Sequence, residues 1–309
     1  MKNARMSIYL LMALGLLSAY VPQAISRGYT DSDCCQPACC ETVYDCGNPL
    51  NCGSINFWLR AGVAPTSWRN RGDLSLVSCN AIGAGSPAFG RVIVPLLSPL
   101  PAFKKLFHLP WIVGGQIGYA VTDCFEFYIA FDYRSASSRT FVATDVSIPN
   151  GPVDVILEVN NNYKAFGAYI GARAYWGRYW CDRFAIFLGG QFGLVHHKAN
   201  CFSLTVNSLP PCPASFPIIT NAALFFRNTR PAASVNLGID WCLGCGWSFM
   251  VMGEIIATCG PKSNSNALIT ANAGCPTQLP ALGGPTNVIV GGTGTELYFP
   301  VTFGFKYSF

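Results

Sequence analysis

Cysteines are the chemically reactive residues that stand out in this sequence. Fifteen occur in 309 residues, and six of them crowd near the start of the chain. In an oxidising compartment thiols pair as disulfides, and an odd number cannot all pair within one chain. At least one cysteine is therefore expected to be free or bonded to a partner. The candidates are Cys34, Cys35, Cys39, Cys40, Cys46 and Cys52.

A second group, Cys242-Leu243-Gly244-Cys245, has the CxxC spacing of redox thiols and of half a zinc site. No second CxxC accompanies it, and the surrounding pattern predicts a turn between strands instead of a helix that would activate a thiol. We therefore predict a structural disulfide or a cross-link here, and no metal site.

The three histidines offer little catalytic chemistry. His196 and His197 are adjacent, so an extended strand cannot easily aim both at one ion, and we interpret them as a solvated loop entrance. His108 has no obvious carboxylate partner, and no GxSxG, HExxH or phosphate-binding glycine loop occurs. The sequence therefore indicates no cofactor and no enzyme, although an outer-membrane protease or acylase is the enzymatic alternative.

The first residues have the pattern of a secretion signal. Lys2 and Arg5 precede an apolar run over 7–20, and Ala24 and Ser26 fit the small residues of a cleavage site. We predict a cleaved signal peptide over 1–26 and a cysteine-rich segment over 27–53, before a folded domain over 54–309.

The composition is unusual for a protein that folds in water. Charged residues make up 11% of the chain and hydrophobic residues 51%, against about 25% charged in typical soluble domains. Beyond the signal, no apolar run reaches the roughly 18 residues of a membrane helix. The net charge of +5 is spread along the chain and indicates no nucleic-acid partner.

Alternation with a period of two residues is the main structural signal. In the last segment Phe303, Phe305 and Tyr307 alternate with Gly304 and Lys306, which predicts a strand with one apolar and one polar face. The same pattern predicts eight strands, over 55–64, 111–121, 125–134, 166–176, 183–194, 233–241, 247–257 and 299–309.

Short and long connections alternate between these strands, as they do in outer-membrane barrels. We therefore predict an all-β, transmembrane, antiparallel up-and-down β-barrel with short periplasmic turns, long outer loops and both ends in the periplasm. Eight strands are the minimum; ten or twelve stay open because 140–148, 153–159, 202–207 and 218–226 are also apolar. A soluble β-sandwich is the alternative, which the signal, the low charge and the terminal Phe309 disfavour. The predicted interfacial girdle is Trp111, Trp176, Trp180, Trp241 and Trp247.

The inward faces of these strands carry charges of both signs. In an eight-stranded barrel they would pack as internal salt bridges, whereas in a wider barrel they would line a channel that slightly favours anions. The predicted lumen charges are Arg60, Glu126, Asp132, Arg134, Arg173, Arg183, Asp240, Glu254 and Lys306.

The stretch Cys34-Cys35-Gln36-Pro37-Ala38-Cys39-Cys40, with the scattered later cysteines and a final strand ending in Phe309, resembles the major outer membrane proteins of chlamydiae and their environmental relatives. The pore-forming outer membrane proteins of the Legionella type are a second resemblance. The first implies a porin that also forms a disulfide-linked structural layer with other envelope proteins or with itself. This chain is shorter and concentrates its cysteines near the start, which implies a narrower barrel.

Two functional hypotheses follow. The first is a porin-like barrel in outer-membrane lipid that passes small solutes and stiffens the envelope through disulfides. The second is a surface adhesin or receptor with a closed lumen, which contacts a host surface or ligand through its long loops, above all 65–110 and 258–296.

Overall fold

A computed structural model gives the fold of the chain and describes residues 50–69, 73–81, 89–97, 100–148, 151–179, 183–207, 216–225, 227–259, 267–269, 286–290 and 294–309. The predicted signal peptide and five of the six clustered cysteines lie outside these residues. The described elements are β1 (Ile55–Val63), β2 (Thr66–Arg69), β3 (Leu74–Ala81), β4 (Phe89–Leu97), α1 (Phe103–Leu106), β5 (Trp111–Thr122), β6 (Phe125–Ala136), β7 (Thr140–Ile148), β8 (Gly151–Val159), β9 (Tyr163–Tyr179), β10 (Phe184–His197), β11 (Asn200–Asn207), β12 (Phe216–Phe225), β13 (Asn228–Gly244), β14 (Trp247–Cys259), β15 (Ala267–Ile269), β16 (Thr286–Val290), β17 (Thr295–Tyr298) and β18 (Val301–Ser308).

Eight of these strands form a closed antiparallel barrel in the order β1, β5, β6, β9, β10, β13, β14, β18 and back to β1. Each coincides with one of the eight predicted segments, so the predicted fold is confirmed. The last strand closes on the first through a continuous ladder, and the Phe309 amide extends that ladder by donating to the carbonyl of Ile55 at 2.9 Å.

The stagger of the ladders fixes the width of the barrel. A path of directly paired residues that starts at Asn56 in β1 and passes once around the barrel ends at Thr66 in β2, which continues the ladder of β1. The end of the path is thus ten residues further along the chain than its start (66 minus 56). For eight strands, a stagger of ten corresponds to a tilt of about 40° and a radius of about 8 Å. The path runs through Gly118, Tyr128, Gly171, Gln191, Ser234, Ile256 and Tyr298.

The two faces of the barrel have opposite chemistry. Phe303 and Phe305 on the outside are 55% and 53% exposed, whereas Thr302 and Lys306 on the opposite face of the same strand are buried. Outward side chains of β5 are exposed from Trp111 to Val121. Ten residues at this tilt make an apolar band about 25 Å tall, which is the height of the band on membrane barrels.

Aromatic rings border this band at both ends. At the end that carries the long loops (the loop end), Tyr133 lies between Trp111 at 5.2 Å and Phe166 at 4.8 Å, measured between ring centroids. At the opposite end (the turn end), Trp241 and Trp247 are exposed. Of the other predicted girdle residues, Trp176 is half-buried and Trp180 lies outside the described residues.

The strands within the long connections do not widen the barrel. Eight of them form two four-stranded sheets, ordered β12-β11-β8-β7 and β15-β16-β3-β4, whereas β2 and β17 pair within the barrel sheet. Contacts between β4 and β7 and between β12 and β15 join the two sheets. Their circular order therefore follows that of the barrel strands beneath them, and they extend the barrel away from its loop end.

This extension has an apolar interior, unlike the barrel. Val155 and Leu157 of β8 and Phe202 and Leu204 of β11 are buried in one cluster with residues at the barrel mouth. No helix in the described part of the chain is long and apolar enough to cross a membrane.

Candidate functional site in the barrel interior

The predicted lumen charges are the natural candidates for a functional site, and all but one lie inside the barrel. Arg60, Glu126, Asp132, Arg134, Arg173, Asp240, Glu254 and Lys306 are all buried. The prediction for Arg183 is wrong, because β10 begins only at Phe184 and Arg183 lies exposed in the preceding turn. Alternation assigns a face only while the residue belongs to the strand.

Arg173 organises the interior near the turn end. Its guanidinium donates to Gln116 Oε1 at 2.8 Å and lies 3.7 Å from the Glu126 carboxylate. It also stacks on Tyr128 and Phe187, with 4.6 and 4.5 Å from Cζ to the ring centroids. Closer to the turns, Lys306 pairs with Asp240. Side chains therefore fill this part of the lumen.

Glu254 is the centre of the middle layer. Its Oε1 accepts hydrogen bonds from Gln191 Nε2 and Ser234 Oγ, both at 2.5 Å, and its Oε2 accepts one from Arg60 Nη1 at 3.3 Å. Arg60 also lies 3.9 Å from Asp132, and both ion pairs are fully shielded from solvent. Four strands are cross-linked through this one carboxylate.

Arg134 lies between the middle layer and the loop end of the lumen. It binds the Asp132 carboxylate at 2.9 Å, donates to the Tyr169 hydroxyl, and lies 4.1 Å from the Tyr298 ring centroid. Beyond it, Glu296 accepts hydrogen bonds from the hydroxyls of Tyr163 at 3.2 Å and Tyr298 at 2.6 Å. These contacts join β6, β9 and β17 across the mouth of the barrel.

His197 belongs to this same cluster, which corrects its interpretation as part of a solvated loop entrance. It is 1% exposed, its Nε2 lies 3.6 Å from Glu296, and its Nδ1 lies 3.3 Å from the Tyr163 hydroxyl. His196 points to the outside because adjacent residues of a strand face opposite ways. The histidines thus have partners, although the closed surroundings of His197 favour a structural role.

Helix α1 covers this cluster. The rings of Phe103 and Phe107 contact Tyr163 at centroid distances of 5.0 and 5.7 Å, and Leu100 and Leu106 are buried beside them. The two lysines of the helix, Lys104 and Lys105, stay exposed. An apolar layer thereby closes the loop end of the lumen.

The sequence predicts one more cation than carboxylate in the lumen, whereas the described part of the structure has one more carboxylate than cation. Loss of Arg183 and addition of Glu296 leave four cations against five carboxylates buried among the described residues. Glu296 and Tyr298 were missed because Pro300 interrupts the last strand. Continuing its alternation backwards through the proline would have placed both residues on the inner face.

Glycines on the inner face make room for these side chains. A Cβ on Gly171 would lie 2.6 Å from Cζ of Tyr128, and one on Gly304 would lie 2.7 Å from Nε1 of Trp58. These inner glycines therefore have a packing role, because larger residues would displace the lumen side chains.

Three of the eight predicted cross-linking cysteines lie within the described residues. Cys52 is an exposed thiol at the turn end, where its Sγ lies 3.2 Å from the Val121 carbonyl. Cys242 and Cys245 border the tight turn between β13 and β14, in which Gly244, Cys245 and Gly246 all have positive φ. Disulfides at these positions stay predictions, and Cys34, Cys35, Cys39, Cys40 and Cys46 lie outside the described residues.

The sequence matches no known family and no curated protein. Among solved structures, the chain is similar to Neisserial surface protein A (TM-score 0.36, 10% identity, 83% of this chain and 99% of that one). It is similar to Ail of Yersinia pestis, solved with the heparin analogue sucrose octasulfate (0.31, 9%, 82% and 99%), and to OprG of Pseudomonas aeruginosa (0.34, 14%, 84% and 96%). Similarity at this level carries no information on what this chain binds or does.

Proposed function

We propose that the chain is a bacterial outer-membrane barrel with a closed lumen, which holds its loop-end sheets outside the cell as a binding surface. The observation that carries the proposal is the packed interior. Salt bridges and aromatic rings fill the lumen, and α1 with its apolar neighbours covers the loop end. An eight-stranded barrel has just enough room for such packing and none for an aqueous channel.

The outer surface supports the membrane location. A band of exposed apolar side chains about 25 Å tall, bordered by aromatic rings, would aggregate in water but suits a bilayer. The same band encircles all eight strands, as exposed residues such as Leu59, Ile129, Leu237 and Phe303 illustrate. We assign the loop end to the cell exterior because long loops face outwards in this class of barrel.

The loop-end sheets support the binding role. The two loops that the sequence analysis predicts as the main contact surface, 65–110 and 258–296, meet in one sheet through the ladder between β3 and β16. The other two long loops meet through the ladder between β8 and β11. Pairing between distant loops stiffens a surface beyond what the closed barrel needs, and a rigid surface loses less entropy on binding.

Conductance of the purified full-length chain in planar bilayers tests the closed lumen. We expect no discrete current steps from the wild type. A variant with Trp58→Gly, Tyr128→Gly and Arg173→Gly empties one layer only, so we expect it to stay silent as well, because the salt bridges of the middle layer and the apolar cover at α1 still close the lumen. Regular steps from the wild type would contradict the closed lumen and restore the porin hypothesis.

Attachment of a heterologous Gram-negative host that displays the chain tests the binding role. Replacing 73–97 and 267–290 by short Gly-Ser linkers removes one complete sheet. We then expect attachment to cultured animal cells to fall to the level of the same host without the chain on its surface. Replacing the exposed Leu243, at the turn end of β13, by Ser is the control at the other end of the barrel. Equal attachment by all three strains would contradict the proposal.

A further inference from the structure

Three adjacent strands change from apolar to basic at the same height on the outer face of the barrel. Towards the loop end, β10 presents Phe192 and Leu194 and then His196, and the chain continues with Lys198. On β9 the corresponding change is from Ile170 and Phe166 to Lys164, and on β13 it is from Val235 to Thr229, just after Arg227. We define Lys164, His196, Lys198 and Arg227 as the basic patch.

Backbone pairing brings these residues together. Phe166 pairs directly with His196, which pairs on its other side with Thr229. One row further from the membrane band, the Lys198 amide donates to the Lys164 carbonyl at 3.0 Å. The Lys198 ammonium lies 5.6 Å from the centroid of Phe166, a ring of the aromatic border. The basic patch therefore begins where the apolar band ends.

Hydrogen bonds hold one cation of the patch in place. Arg227 Nε donates to His196 Nε2 at 3.0 Å, so the proton of the neutral imidazole is on Nδ1, which lies 2.9 Å from Thr229 Oγ1. Within the described residues, no protein group accepts from the terminal guanidinium nitrogens of Arg227. A guanidinium fixed in this way can offer both terminal nitrogens to one phosphate.

No carboxylate among the described residues balances the patch. Across the described ranges, Lys164, Lys198 and Arg227 form no ion pair, whereas the buried lumen charges are paired. Like charges that face each other across a ladder, as Lys164 and Lys198 do, destabilise a sheet. An anion from outside the chain would relieve this repulsion.

We infer that the basic patch binds the phosphate of an anionic lipid of the outer leaflet while Phe192, Leu194 and Ile170 contact its acyl chains. A lipid offers a phosphate to the basic patch and acyl chains to the apolar residues nearer the membrane band. A soluble anion offers only the charge that the patch binds. On the opposite side of the barrel, outward residues at this height are uncharged, among them Pro65, Ala257 and Leu297. The lipid would thus occupy one side of the barrel.

Native mass spectrometry of the full-length chain in detergent tests the inference, with diphosphoryl lipid A as the probe and the same lipid without its phosphates as its match. The variant carries Lys164→Gln, Lys198→Gln and Arg227→Gln. Each lost cation weakens binding by about five-fold, so we expect a loss of about 100-fold for the diphosphoryl lipid. The control, Lys104→Gln, Lys105→Gln and Arg183→Gln, removes the same charge elsewhere and should bind as the wild type does.

Equal binding of the two lipids by the wild type, or an unchanged affinity in the variant, would overturn the inference. Binding of inorganic phosphate that depends on the patch, with no preference between the lipids, would also overturn it by showing a site for soluble anions. The inference rests on the proposed membrane location, which flotation with phosphatidylcholine vesicles tests separately. If neither wild type nor variant floats, the location fails; if both float without lipid preference, only the lipid site fails.

Discussion

Glu254 gives the sharpest test of the packed interior. Glu254→Gln keeps the size of the side chain but removes the charge that faces Arg60 at 3.3 Å with neither group exposed. At an effective dielectric constant of about 20, two charges at this distance attract by about 5 kcal/mol. Arg60 would keep only Asp132 at 3.9 Å, a carboxylate that it shares with Arg134. We expect the variant to lose about 3–5 kcal/mol of unfolding free energy, since it leaves a buried charge poorly paired.

A double-mutant cycle separates the pair from its surroundings. Arg60→Met alone should also destabilise the barrel, because it leaves Glu254 charged with only Gln191 and Ser234 as donors. The double variant should be less destabilised than the sum of the singles by about 3 kcal/mol, because neither charge is then stranded. Urea unfolding of the chain in phospholipid vesicles measures this, with the summed fluorescence of its seven tryptophans as the reporter.

Arg183→Met serves as the control, since it removes an exposed arginine outside the lumen and should change the unfolding free energy by less than about 0.5 kcal/mol. A coupling energy below about 1 kcal/mol between Arg60 and Glu254 would refute the reasoning. It would mean that water, and not the protein, solvates these charges.

Three further predictions concern the lipid-facing surface, an inner glycine and the exposed thiol. Leu237→Arg should cost about 2–4 kcal/mol of unfolding free energy in vesicles, whereas Leu243→Arg, equally exposed but at the turn end of β13, should cost less than about 1 kcal/mol; similar costs would argue against the membrane band. Gly171→Val should destabilise the barrel by about 1–3 kcal/mol because its Cβ meets the lumen side chains, while Gly253→Ala, whose nearest neighbour is 4.0 Å away, should be neutral in the same assay. On non-reducing gels Cys52→Ser should weaken any cross-linked band, and migration of the wild type that reductant does not change would contradict cross-linking.

Local sequence pattern was sufficient for the strands and for most of the lumen. Alternating side chains point to opposite faces whatever the strand pairs with, so Lys306 and Arg173 could be placed inside before any neighbour was known. Turn residues and connection lengths then gave the antiparallel order. The pattern failed where a strand ended or bent, as at Arg183 and at Pro300.

Tertiary structure decided the features that depend on which strands pair and in what register. A stagger of ten residues sets a radius that side chains can fill, and no single strand encodes that stagger. Pairing across the mouth brings Tyr163, His197 and Glu296 together from three distant segments, and aligns Lys164 with Lys198 on the outer face. The strands of the two four-stranded sheets extend the barrel instead of widening it, because each pairs only with other strands of these sheets. Such contacts between residues far apart in the chain are set by the closed geometry of the whole sheet, which periodicity within one segment does not specify.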